Sequence, residues 1–238
     1  MTYKEVYDIA VPLKKRQEEK WNILANNIFR PISVLLTVPL VNTKIKPITI
    51  TAISIVSAIL GFVLVSSSLS VWLSILGWFF FFAWDILDGV DGNLARCTNQ
   101  CSPLGDLWDT TGGYAAMVLI YFSVGIAAAF DNNTFEFASP IMMSIIGGAT
   151  AIMSIFPRLV MHKKKSSGIE SDVIKEMTNK QDFSISKIFA LNFISPTGFM
   201  QIFLLICILT HTLNIFISFY FIVNFAIMIL SLRKLLKA

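Results

Sequence analysis

A chain of 238 residues that is 55% hydrophobic and only 14% charged departs from soluble domains, which run nearer to about 45–50% apolar and about 25% charged. The net charge of +4 does not point to nucleic acid, because the Lys and Arg residues fall in short segments between long uncharged stretches, as basic residues do at one face of a membrane. Cys97, Cys101 and Cys207 form no disulfide framework, and no His or further Cys stands beside the first two to complete a zinc site.

The polar start carries Lys14, Lys15, Arg16, Glu18, Glu19 and Lys20 without an apolar h-region, so no cleavable signal peptide is expected. The stretch from Trp21 to Val41 is apolar but holds Asn26, Asn27, Arg30 and Pro31 near its middle. A mid-membrane Arg costs about 2.5–3.5 kcal/mol on insertion scales. The stretch is therefore expected to lie in the interface as an amphipathic helix, with Trp21 as an anchor. Residues 1–47 form this cytoplasmic and interfacial segment.

Residues 48–238 are expected to form one all-α integral-membrane domain. A bilayer core needs about 20 apolar residues in a helix, and six stretches qualify as transmembrane helices: Ile48 to Ser67, Val71 to Asp91, Gly105 to Phe130, Ala138 to Pro157, Pro196 to Thr210 and Leu213 to Leu232. The fifth is short, with a start as early as Phe189 as the alternative. With six spans all 19 Lys and Arg fall on one side. The opposite loops, Ser66 to Ser70, Asp131 to Glu136 and the turn at His211, carry none. Both termini are then cytoplasmic, and the cytoplasmic (inner) membrane is the expected location. Lys163 to Ser186 reads as a polar loop, with room for a short surface helix.

The second span closes on Trp84-Asp85-Ile86-Leu87-Asp88-Gly89-Val90-Asp91-Gly92-Asn93-Leu94-Ala95-Arg96. Acids at the C-terminal end of a helix oppose its macrodipole, so three of them call for a positive partner. Helical spacing puts Asp85, Asp88, Asp91 and Gly92 on one face. The third span opens with Gly105-Asp106-Leu107-Trp108-Asp109, and the short loop makes the two spans antiparallel neighbours. Carboxylates converging from two helices make an oxygen-ligand site for a hard cation, Mg²⁺ or Mn²⁺. Gly92, Ala95, Gly105, Gly112 and Gly113 either leave room at those carboxylates or let helices approach closely.

The pattern Asp88-x2-Asp91-Gly92-x2-Ala95-Arg96-x8-Gly105-x3-Asp109 resembles the signature of the CDP-alcohol phosphotransferases, also called CDP-alcohol phosphatidyltransferases. Upstream, Pro47-Ile48-Thr49-Ile50-Thr51 is similar to the Pro-Asn-x-Ile-Thr segment that opens the family's first helix, with Ile48 where Asn is usual. The signature continues with a fourth Asp, the family's general base, at a position that is Gly113 in this chain.

The resemblance implies a metal-dependent enzyme of phospholipid or lipid-linked head-group synthesis. It would pass a substituted phosphate group from a CDP-linked donor to an alcohol acceptor and release CMP. Asp88, Asp91 and Asp109 would hold Mg²⁺ or Mn²⁺, and Asp88, Gly92, Ala95 and Arg96 would bind the nucleotide. Asp109 and Asp85 are the expected catalytic residues. Asp85 and Asp106 compete for the role of the missing base, the alternative being that metal-bound hydroxyl chemistry makes a base less important. Asp106 is about 10 Å from Gly113 along the third span, whereas Asp85 lies about 4.5 Å deeper than Asp88 and so nearer the depth of Gly113. Expected partners are the donor and acceptor, one of them a lipid, the membrane lipids, and no nucleic acid; a homodimer is one assembly this plan allows. The rival readings are a non-catalytic CDP-ligand-binding or regulatory protein on the same scaffold, and a transporter. The clustering of the acids at one membrane face argues against the transporter.

Overall fold

Uncharged runs of more than 20 residues satisfy their backbone polar groups in a bilayer by forming helices, and helices are what the chain builds. A computed structural model describes residues 1–131, 138–167, 188–189 and 192–237. The helices are α1 (Tyr3–Ala10), α2 (Leu13–Glu19), α3 (Arg30–Leu40), α4 (Pro47–Ser67), α5 (Val71–Cys97), α6 (Pro103–Phe130), α7 (Pro140–Ser166), α8 (Gln201–Leu209) and α9 (Leu213–Lys237). No strand occurs among the described residues.

Their starts follow from local chemistry. Proline, whose missing N–H costs nothing in a first turn, begins α4, α6 and α7. Ser70, Ser102 and Ser139 accept the N–H groups of Leu73, Gly105 and Met142 at the starts of α5, α6 and α7. Thr2 and Glu5 form a reciprocal capping box on α1.

Five helices, α4, α5, α6, α7 and α9, are long and apolar enough to cross a membrane. The remaining expected span, Pro196–Leu209, is a shorter apolar helix. It opens with a π-helical turn, Pro196–Met200, in which Gly198 leaves helical geometry at φ −105° and ψ −159°. Residues from the N-terminal segment dock beside this broken start. Asn22 Nδ2 donates to Thr197 Oγ1 at 3.0 Å, Asn192 Nδ2 donates to the Trp21 carbonyl at 2.7 Å, and the Ile23 N–H donates to Asn192 Oδ1 at 2.9 Å.

Two helices outrun their expected ends. α5 continues past Asp91 to Cys97 because Asn93 and Leu94 remain buried in the protein, so its acids stand inside a helix and not at its tip. α7 continues past Pro157 to Ser166, since a proline inside a membrane helix removes one hydrogen bond without ending it. Of the expected loops, Asp131 to Glu136 and Lys163 to Ser186, residues 132–136 and 168–186 lie outside the described residues, while Lys163 to Ser166 belong to α7.

α3 has an amphipathic face, but its polar side points inward. Ser33 and Thr37 are buried, while Leu35 and Leu36 are 61% and 43% exposed. The leucines face the surroundings and the hydroxyls face α5.

Close backbone approach fixes the α6–α7 pair. A Cβ on Gly147 would stand 2.6 Å from Gly125 Cα, whereas one on Gly148 would meet nothing nearer than Phe122 at 3.9 Å. Gly147→Ala is expected to destabilise the protein by about 1–3 kcal/mol through overpacking. Gly148→Ala should be neutral or slightly stabilising. Thermal unfolding of both variants in detergent checks the contrast, and equal melting temperatures would contradict it.

Candidate active site

The site forms where the first turns of α4 and α6 meet the last turns of α5. Asp88 and Asp91 are three residues apart on α5 and share a face, and Asp109 comes from the second turn of α6. One carboxylate oxygen from each lies within 4.8 Å of the others. Asp88 and Asp109 are within hydrogen-bonding reach of each other. Asp91 is buried at 4% exposure, and the Thr51 hydroxyl of α4 donates to its Oδ2 at 2.5 Å.

That geometry fits a divalent cation. Mg²⁺ and Ca²⁺ take oxygen ligands at about 2.0–2.6 Å, so ligands on opposite sides of the ion stand about 4–5 Å apart. Three carboxylates in a 4.8 Å group are a hard, anionic donor set of that size.

Beside the carboxylates opens a cleft of about 320 Å³, lined among others by Lys46, Ile48, Asp91, Gly92, Ala95, Arg96 and Asp109. Its walls combine opposite charges. Asp91 and Asp109 offer negative oxygens. Lys46, Arg96 and the N-terminal turns of α4 and α6 offer positive potential, the helix starts through their dipoles. The Gly92 backbone lies under the Arg96 side chain: a Cβ there would stand 3.3 Å from Nη2.

The expected site residues separate into groups. Asp88, Asp91 and Asp109 come together. Gly92, Ala95 and Arg96 line the cleft, as does Asp106. Asp85 does not line it; it is 5% exposed, and its Oδ2 has no hydrogen-bond partner. A Cβ at Gly113 would meet nothing within 4 Å, so the position where the family carries its fourth Asp is open space.

Sequence reasoning did not single out Thr51, Lys46 or Asn93 as site residues. Thr51 carried a signal, being the last residue of the motif that opens α4. Lys46 lies just before it. Asn93 carried none: it occupies a variable position of the signature, and besides Arg96 its partners are residues about 60 positions away.

The sequence profile of the CDP-alcohol phosphatidyltransferase family matches residues 44–233. Among characterised proteins, cholinephosphotransferase 1 of Danio rerio is 32% identical over 126 residues, covering 49% of this chain and 32% of that protein. Cholinephosphotransferase 1 of Mus musculus is 28% identical over 138 residues, covering 52% of this chain and 33% of that protein. The matched stretch thus spans about a third of either relative.

Removing one carboxylate from the three should cost more than removing a neighbour. Asp88→Asn and Asp109→Asn are each expected to weaken Mn²⁺ binding about tenfold or more, on the scale of losses at metal sites, and Asp106→Asn much less. Titration followed by electron paramagnetic resonance measures this. Equal effects of all three substitutions would contradict a shared site.

Proposed function

The chain belongs to the CDP-alcohol phosphatidyltransferase family, and on that premise we propose that it is a membrane transferase of substituted phosphate groups. It would move such a group from a CDP-linked donor to an alcohol acceptor, releasing CMP, in the synthesis of phospholipids or lipid-linked head groups. The observation that carries this reading is the carboxylate triad at the edge of a cleft with cationic walls. The placing of all 19 Lys and Arg in the terminal segments and between alternate spans of the six-span plan favours the cytoplasmic face of the membrane for this cleft and for both termini.

In this proposal Asp88, Asp91 and Asp109 hold Mg²⁺ or Mn²⁺ against the donor's diphosphate. The bound ion would neutralise charge growing on the oxygen that leaves with CMP. Arg96 and Lys46 face the same diphosphate, Arg96 with a planar fork suited to two phosphate oxygens. Gly92 and Ala95 keep the α5 wall low enough for the nucleotide to lie against it. Thr51 fixes the Asp91 carboxylate from α4.

The acceptor hydroxyl attacks the phosphorus distal to cytidine. Its oxygen forms the new P–O bond, the bond to CMP breaks, and the hydroxyl proton must leave. Gly113 cannot take that proton. We assign it to Asp85, whose Oδ2 is buried and unpartnered, with Asp106 on the cleft wall as the competitor. The cholinephosphotransferase name of both relatives favours a small head group on the donor and the lipid on the acceptor. CDP-choline with diacylglycerol is therefore the first pair to try, and CDP-diacylglycerol with a small alcohol the second.

The glycine at 113, where the family signature has its fourth Asp, favours a second reading, a protein that binds a CDP-linked ligand without turning it over. CMP release by the purified protein in lipid nanodiscs separates the two. The transferase reading expects release that requires both divalent metal and acceptor. Asp85→Asn should then lower kcat by about 10²–10⁴-fold, the usual worth of general-base help, with little change in donor affinity. Asp106→Asn should do less, and Gly113→Asp should keep activity or restore part of it in the Asp85→Asn background. Wild-type turnover in Asp85→Asn would remove Asp85 from the mechanism. CDP binding without CMP release from either pair would support the non-catalytic reading.

A further inference from the structure

Arg96 reaches the cleft from a braced position. Its Nε donates to the Ala10 carbonyl at the end of α1 at 2.7 Å, and its Nη2 donates to Asn93 Oδ1 at 3.0 Å. The same Asn93 oxygen accepts from Arg30 Nη1 of α3 at 3.2 Å. Asn93 Nδ2 donates to Ser33 Oγ at 3.2 Å, and the Ser33 hydroxyl donates onward to the Arg30 carbonyl at 3.0 Å. Asn93 is 0% exposed.

The chemistry of this junction is specific. Guanidinium groups only donate, so the Asn93 atom facing both of them must be its oxygen, which sets the amide orientation and aims the nitrogen at Ser33. Asp at this position would lose the donor, and Leu would lose both functions. Gly89 makes the contact sterically possible. A Cβ there would stand 3.0 Å from Ser33 Cβ, so any larger residue would push α3, with Ser33 and Arg30, away from Asn93.

We propose that Asn93 is a positioning residue for the donor's diphosphate, acting through Arg96, with α1 and α3 as its brace. The N-terminal segment then belongs to the catalytic unit and is more than an attachment to the membrane surface. The physical basis is preorganisation. A flexible arginine loses rotamer freedom when it clamps a ligand, and a side chain already ordered in the free protein does not lose it again on binding. The inference rests on the reading of the cleft as the CDP-donor site.

A double-mutant cycle on the full chain tests it, with CDP affinity measured by calorimetry in Mg²⁺ and Mn²⁺ affinity measured separately. Arg96→Met should weaken CDP binding by about 10–100-fold, the loss of a charged hydrogen-bonding group. Asn93→Leu should weaken it by about tenfold. The double variant should bind CDP no more weakly than Arg96→Met alone, because Asn93 acts only through Arg96. Asn93→Asp, which still accepts from both guanidinium groups, should retain most of the affinity. Ser33→Ala is the milder probe should Asn93→Leu fail to fold; it should weaken CDP binding in the wild-type background and have no effect in Arg96→Met. Mn²⁺ affinity should not fall in any variant, since none removes a carboxylate of the triad and the loss of the Arg96 charge can only favour a cation. Additive losses in either double variant, or wild-type CDP affinity in Asn93→Leu, would overturn the positioning role. A wild-type protein that binds Mn²⁺ but not CDP would instead overturn the donor-site reading, and the positioning role with it.

Discussion

Three carboxylates with ligand oxygens within 4.8 Å of one another repel whenever they are ionised together, as binding of a cation requires. At an effective dielectric of about 20, two unit charges at that separation cost roughly 3.5 kcal/mol, and three groups make three such pairs. The rest of the site is organised around holding them there. Two come from one face of α5, so helical spacing alone places them together. The third arrives because the short connection from Cys97 to Pro103 brings the start of α6 to the end of α5; beyond that junction the two helices pack along α4 and scarcely against each other, so they are not the side-by-side neighbours the short loop led one to expect. A divalent cation turns the same repulsion into ligation, which is the physical reason to read the cluster as a metal centre and not as a surface accident.

The surrounding elements contribute by restricting motion. Thr51 hydrogen-bonds Asp91 from α4, so the motif that opens α4 has a direct consequence for the carboxylates. Gly125 and Gly147 let the α6 and α7 backbones touch, anchoring the helix that carries Asp109 over much of its length. On the other side of α5, the buried Asn93 ties α1 and α3 to Arg96. The cleft between these elements has acids on one part of its wall and cations with helix N-termini on another. A diphosphate chelated to a metal has the same distribution of charge, negative at its free oxygens and positive at the ion.

Much of this was legible in the sequence, and the limits have physical causes. Hydropathy found the long helices because each span's length is set by the bilayer and not by its neighbours. It gave the bounds of the short helix before His211 but not its π-helical opening or the break at Gly198; composition does not report backbone geometry. It ended α5 at Asp91 because polarity rises there, but helical hydrogen bonding continues wherever polar side chains find partners inside the protein, as Asn93 does. The Asp88, Asp91 and Asp109 cluster was readable because its spacing is local on α5 and one short turn away on α6. The inward-facing Ser33 and the bridge between Arg30 and Arg96 were not readable, since each depends on a contact across about 60 residues of chain. Arg30 appeared in the sequence only as an obstacle to insertion; in the fold it is a ligand of Asn93.

On the proposed function, Asp88, Asp91 and Asp109 together hold a divalent ion against a CDP-linked donor. Anomalous scattering from crystals grown with Mn²⁺ and CDP tests this most directly. The expected result is a manganese peak at coordination distance from all three carboxylates, with the diphosphate beside Arg96. A peak elsewhere, or CDP bound in the cleft with no metal at these residues, would contradict it.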